Sequence, residues 1–137
     1  MTHPLRFEDL VKGQAFARFP LTISRAEVEA YLDSTGEVSE VWATCVPPIF
    51  IDAIAIAALL KTVAIPKGVM HTGQEHISHR AVAIDETLDL EMRVSALSER
   101  RGSIIAGFEA ELIDPDQRPV VTMKISVMVL PDGVTAS

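Results

Sequence analysis

A single cysteine, Cys45, stands in a chain of 137 residues, so no internal disulfide can staple the fold. Its apolar neighbourhood makes it inert packing before it makes it a nucleophile. Aromatic residues are scarce at 5%, which leaves an aliphatic interior of branched side chains that favour strands. Basic residues are few as well: 12 against 19 acidic, net charge −7, with only Arg100 and Arg101 adjacent. That balance gives nucleic acid no electrostatic footprint and argues against docking on an anionic membrane surface. Near the N-terminus Arg6 is followed by Glu8 and Asp9 where a signal peptide would carry an apolar run, so a cytoplasmic location is expected. The longest apolar run, from Ile49 to Val63, is short of the ~20 residues needed to cross a bilayer, and Asp52 would sit at high cost inside it.

What remains is 48% apolar residues, enough for one core, and the expectation is one domain over 1–137. Gln14 to Ile23 reads as a short strand with Pro20 near its end. Ser24, with Glu27 three residues later, has the spacing of a capping box and opens a helix running to about Asp33, which Ser34-Thr35-Gly36 ends. Val28, Tyr31 and Leu32 share one side of it. Pro47-Pro48 marks the start of a second helix through Val63 whose only charges are Asp52 and Lys61. A helix apolar on every face must be buried. Strands follow. Leu88, Leu90, Met92 and Val94 alternate with polar residues; Ile104, Ala106, Phe108, Ala110 and Leu112 form a second set, and Val121, Met123, Ile125, Val127 and Val129 a third. Arg101-Gly102 and Asp114-Pro115-Asp116 are the turns between them. Val69 to Val82 is one more strand, polar at Thr72, Gln74, His76, Ser78 and Arg80.

The order is strand, helix, buried helix, then four strands in a meander, an α+β arrangement. A curled antiparallel sheet of about five strands, wrapped around the central helix, can cover an element that lacks a polar face. One small sheet leaves an edge open, and a twofold dimer pairing two sheets edge to edge closes it.

That element order resembles the hotdog fold, and two stretches resemble its MaoC-like hydratase and dehydratase branch. One is the capped helix from Ile23-Ser24-Arg25-Ala26-Glu27-Val28 through Tyr31 to Ser34-Thr35-Gly36-Glu37. The other runs from Gly68-Val69-Met70-His71-Thr72-Gly73-Gln74-Glu75-His76 to His79-Arg80-Ala81-Val82, with Asp85-Glu86-Thr87-Leu88 after it. The likeness covers roughly residues 5 to 130. It implies binding of an acyl group as a CoA or carrier-protein thioester, with reversible addition of water across an enoyl double bond, the hydro-lyase reaction of (R)-3-hydroxyacyl dehydratases and enoyl hydratases. No cofactor or metal is expected.

Active members of that branch carry Gly-Asp-x-Asn-Pro-x-His after the capped helix, and the match here is Gly36-Glu37-Val38-Ser39-Glu40-Val41-Trp42. Glu37 keeps a carboxylate. Trp42 stands where the histidine belongs, and its indole N–H only donates, so it cannot serve as a base. A weak or inactive hydratase, or the non-catalytic subunit of a heteromeric dehydratase, fits these departures. The dimer partner is then either an identical chain or a catalytic sibling.

Candidate catalytic residues are Glu37, Asp52 and His71; candidate substrate contacts are Trp42, Ile49, Phe50 and Gly73. Glu37 is a base or a solvated loop carboxylate. Asp52, four residues past Pro48 and expected in the first turn, either stabilises its own helix terminus or acts as the carboxylate of a thioesterase, the enzyme alternative. If buried, it demands a partner. Strand parity puts His71 and His79 on one face and His76 on the other, which argues against a three-histidine metal site.

Overall fold

The computed structural model describes residues 5–16, 18–36, 44–64 and 68–130. In chain order it contains β1 (Leu5–Arg6), β2 (Phe19–Thr22), α1 (Arg25–Thr35), α2 (Pro48–Thr62), β3 (Val63–Ala64), β4 (Val69–Ser78), β5 (Thr87–Arg100), β6 (Ser103–Ile113) and β7 (Pro119–Val129). The main sheet has five strands in the order β2-β5-β6-β7-β4, with antiparallel neighbours throughout; β1 and β3 form a small parallel pair beside it. The hotdog arrangement expected from the sequence is therefore present.

One detail of connectivity differs. Only β5, β6 and β7 form a meander, joined by Arg101-Gly102, which both adopt positive φ, and by a turn through Asp114 to Gln117. β4 does not pair with β5 but lies at the far edge against β7, while β2 covers the β5 edge. Ahead of β2, Gly13 and Phe16 donate to Val94 and Met92, so the chain already approaches β5 there, but of the strand expected over Gln14 to Ile23 only Phe19–Thr22 forms.

The alternating sets face one core. Leu88, Leu90, Met92 and Val94 of β5, Ala106, Phe108, Ala110 and Leu112 of β6, and Val121, Met123, Ile125 and Val127 of β7 are all buried. Each Val, Leu, Ile, Met or Phe among them withdraws surface worth roughly 1.5–3 kcal/mol from water. α1 starts at the expected capping box: the Ser24 hydroxyl accepts from the Glu27 amide at 3.2 Å, and the Glu27 carboxylate accepts from the Ser24 amide at 3.3 Å. It ends on Gly36 at φ 74°, a left-handed cap that glycine adopts without a Cβ clash.

α2 lies across the sheet and buries Ile51, Ala55 and Leu59, a stripe spaced by four residues. Within one chain, burial on every face is not reached: Ile49 is 67% and Leu60 55% exposed. A bridge between Cys45 and Ala83, together with donation from Val46 to Val82, ties the approach to α2 to the segment that follows β4. This holds the first half of α2 over the end of β4.

Candidate active site

Asp52 is the fifth residue of α2, one position beyond the first turn where the sequence reading placed it, because Pro47 is the cap and Pro48 the first helical residue. It does not serve its own helix terminus. Its Oδ1 lies 2.6 Å from Nδ1 of His76 in β4, and both side chains are only 16% exposed. The partner that a largely buried aspartate requires is thus a histidine on the facing strand. On the other side of the ring, His76 Nε2 lies 2.8 Å from Ser78 Oγ.

A β-bulge produces this arrangement. Across β4 and β7, His71 pairs with Val127 and Gly73 with Ser126, which leaves Thr72 as an extra, unopposed residue. Alternation reverses there. His71 and His76, expected on opposite faces, both point toward α2: His71 lines a groove beneath Leu59, and His76 meets Asp52. His79 goes to the other face, where its Nε2 lies 3.0 Å from Thr122 Oγ1. The three histidines therefore have three separate settings, and the expected pairing of His71 with His79 on one face is corrected by the bulge.

The groove, about 200 Å³, runs between α2 and the sheet and is lined by Ile56, Leu59, Leu60, Val69, His71, Ile125 and Val127. Its nearest helical wall, Ile56, is one turn from Asp52 on the same face of α2. A second apolar recess of about 350 Å³ opens on the other side of the helix, between Ile54, Ala57, Ala58 and Lys61 and the strand residues Phe19, Leu21 and Leu90.

Not all expected contacts gather here. Phe50 is half-buried but stacks on Tyr31 of α1, Ile49 projects outward, and Gly73 sits at the bulge beside Ser126. Glu37 and Trp42 lie outside the described residues. Sequence reasoning missed His76 and Ser78 as site residues. The available signal was their i, i+2 spacing, which puts both side chains on one face of the strand; the bulge decides that this face meets Asp52.

Beyond Ser78 the chain is pinned by Arg80, whose guanidinium donates to both carboxylate oxygens of Glu86 at 2.9 and 2.6 Å; Glu86 also accepts from the Ala83 amide at 3.1 Å. The hydrogen bonds from Arg80, aided by the Ala83 amide and opposed by partial burial, hold the Glu86 carboxyl below the ordinary glutamate range. The same pairing with Glu86 raises the Arg80 guanidinium.

The molecule has the hotdog architecture, and the solved structures it resembles include MaoC-like dehydratases and (R)-hydratases. The (R)-hydratase from A. caviae, described as involved in PHA biosynthesis, is 22% identical, with 90% of this chain and 99% of that one aligned at a TM-score of 0.69. The HadBC (3R-hydroxyacyl-ACP dehydratase) complex of Mycobacterium tuberculosis is 17% identical over 85% of this chain and 96% of that one, at 0.70. The MaoC-like dehydratase from Rhodospirillum rubrum is 15% identical over 93% and 98%, at 0.71. No family model matches the sequence, and no curated protein matches it. At these identities the likeness establishes the fold.

Proposed function

We propose that this protein binds an acyl thioester, carried by CoA or by a carrier protein, and that Asp52 and His76 give it the acid–base function of a hydro-lyase acting on the enoyl or 3-hydroxyacyl group. The observation that carries this reading is the 2.6 Å contact between Asp52 and His76, one helical turn from an apolar groove. A carboxylate only accepts hydrogen bonds, so with the ring neutral Nδ1 donates to Asp52 and Nε2 keeps its lone pair. Nε2 is then the atom that takes a proton from water as its oxygen adds to C3 of an enoyl thioester and passes that proton to C2, and the same transfers run backwards in dehydration. The apolar groove suits the acyl chain, and His71 is placed to contact it. The named activities of the hydratase and dehydratase neighbours support the same substrate class.

This moves the acid–base function away from the match at Gly36 to Trp42, of which Glu37 and Trp42 lie outside the described residues. It also makes the non-catalytic-subunit reading secondary. The working unit is a twofold dimer, or a pair with a related sibling chain. Edge strand β4 exposes Met70 and Ile77, and α2 exposes Ile49 and Leu60, all apolar groups that a second sheet and helix would cover.

Loss of enoyl absorbance on incubation with crotonyl-CoA tests the reading. Asp52→Asn and His76→Gln should each lower kcat/KM by at least ~100-fold. Undiminished hydration in both variants, or no hydration by the wild type, overturns it.

A further inference from the structure

Among the described residues, Ser78 holds the one hydroxyl hydrogen-bonded to the imidazole of His76. With Nδ1–H committed to Asp52, Nε2 is an acceptor, and the Ser78 Oγ–H at 2.8 Å is its donor. A carboxylate on Nδ1, a hydroxyl on Nε2 and a nearly dry ring between them are the three relations that define an activated serine, whatever the fold or chain order. Burial of Asp52 explains His76 but leaves the hydroxyl unexplained, because the ring alone satisfies the carboxylate. Ser78 is solvent-exposed at the end of the edge strand, whereas Asp52 and His76 are largely covered. The hydroxyl is reachable from outside, and its base is shielded.

We infer that Ser78 is a nucleophile, activated by His76 and Asp52, that takes an acyl group from a thioester and gives the protein thioester-cleaving activity. The substrate class rests on the acyl-thioester reading above; the nucleophile itself does not. Ser78 Oγ attacks the thioester carbonyl carbon while its proton passes to His76 Nε2. The tetrahedral adduct then collapses by breaking the C–S bond, and the thiolate leaves with the proton from His76. The acyl group is left as an ester on Ser78. Water attacks that ester with His76 as base, and Ser78 recovers its proton as the carboxylic acid departs. Each cycle consumes one water and yields one thiol and one acid, with no oxidant or metal required.

A fluorophosphonate probe separates the two readings, because it phosphonylates an activated serine by displacing fluoride and needs no acyl groove. Mass spectrometry of the intact protein and its peptides should place one adduct on Ser78. The adduct should be absent in Ser78→Ala and form at least ~100-fold more slowly in His76→Gln and Asp52→Asn, each checked for folding by circular dichroism. Ser78→Cys keeps a nucleophile at the same site and should retain thiol release from butyryl-CoA. An unlabelled Ser78 in the folded wild type, or labelling indifferent to His76, overturns the inference. Crotonyl-CoA hydration is scored in parallel: hydration without labelling removes the nucleophile alone, and labelling without hydration removes the hydro-lyase reading alone.

Discussion

Tyr31 of α1 and Phe50 of α2 stack with ring centroids 4.6 Å apart and planes 15° from parallel. The stack joins the capped helix to the start of the helix that carries Asp52, so it sets the position of the site without lining it. Phe50→Ala should lower unfolding free energy by roughly 2 kcal/mol, from lost burial and lost stacking. Tyr31→Phe keeps the ring and should be close to neutral. Urea denaturation measures both.

Asp52 and His76 should be coupled in stability as well as chemistry. Removing either leaves a largely covered polar group without its partner, at about 1–3 kcal/mol. The double variant Asp52→Ala with His76→Ala should cost less than the sum of the single changes, and a double-mutant cycle reads the difference. Strict additivity would mean that the contact carries no energy.

The Arg80–Glu86 pair makes a pH-dependent contribution. Because the Glu86 carboxyl lies below its ordinary value of 4.5, the stability it contributes is fully present above that value and is lost as pH falls through the lower, folded-state value. At pH 7 Glu86→Gln should be less stable by about 0.5–1 kcal/mol. That gap should close on acidification below pH 4.5, and parallel melting curves at pH 7 and pH 3 would show it.

β5 carries a second bulge, at Ser95, where Val94 pairs with Phe108 and Ala96 with Gly107. A Cβ on Gly107 would lie 3.2 Å from both the Ala96 Cβ and the Ser95 Oγ. Gly107→Ala should therefore cost about 1–3 kcal/mol through overpacking, with Ala96→Gly recovering part of it. A neutral Gly107→Ala would contradict the described pairing of β5 with β6.

Leu60 tests the groove. It borders the groove and, in the proposed dimer, lies under the second chain, so Leu60→Glu places a charge beside the apolar lining and should also weaken the dimer. Affinity for a long-chain acyl-CoA should fall roughly tenfold, equivalent to about 1.4 kcal/mol, and affinity for acetyl-CoA much less. Calorimetric titration with the two ligands decides it.

Much of this architecture is written locally. Ser24 and Glu27 announce a helix start, Gly36 its end, and Leu88 to Val94 a half-buried strand, because each depends on neighbours within a few residues. Strand order is different. Whether Val69 to Ser78 pairs with β5 or β7 depends on contacts some fifty residues away in sequence, and nothing in its own pattern selects the partner. The site was half legible for a related reason. Asp52 stood out as a carboxylate in an apolar helix, but its partner could not be read from parity, since strict alternation assigned His76 to the same side as Thr72 and Gln74 and took it away from His71. Ile49 and Phe50 were chosen for position at the start of α2. Their faces were fixed instead by which neighbours, Tyr31 or solvent, the helix met.

Thr72 has one further consequence. Because Thr72 is the unopposed residue, excising its codon would straighten the strand and leave His71 opposite Val127 and Gly73 opposite Ser126, with the imidazole and hydroxyl still toward the helix. Ironing the bulge flat with Thr72 retained would do the reverse: Gly73, Glu75 and Ile77 would turn toward the helix, and the imidazole and hydroxyl would be cast to the opposite side. The facing of this edge strand thus hangs on a single local irregularity, with the core strands untouched.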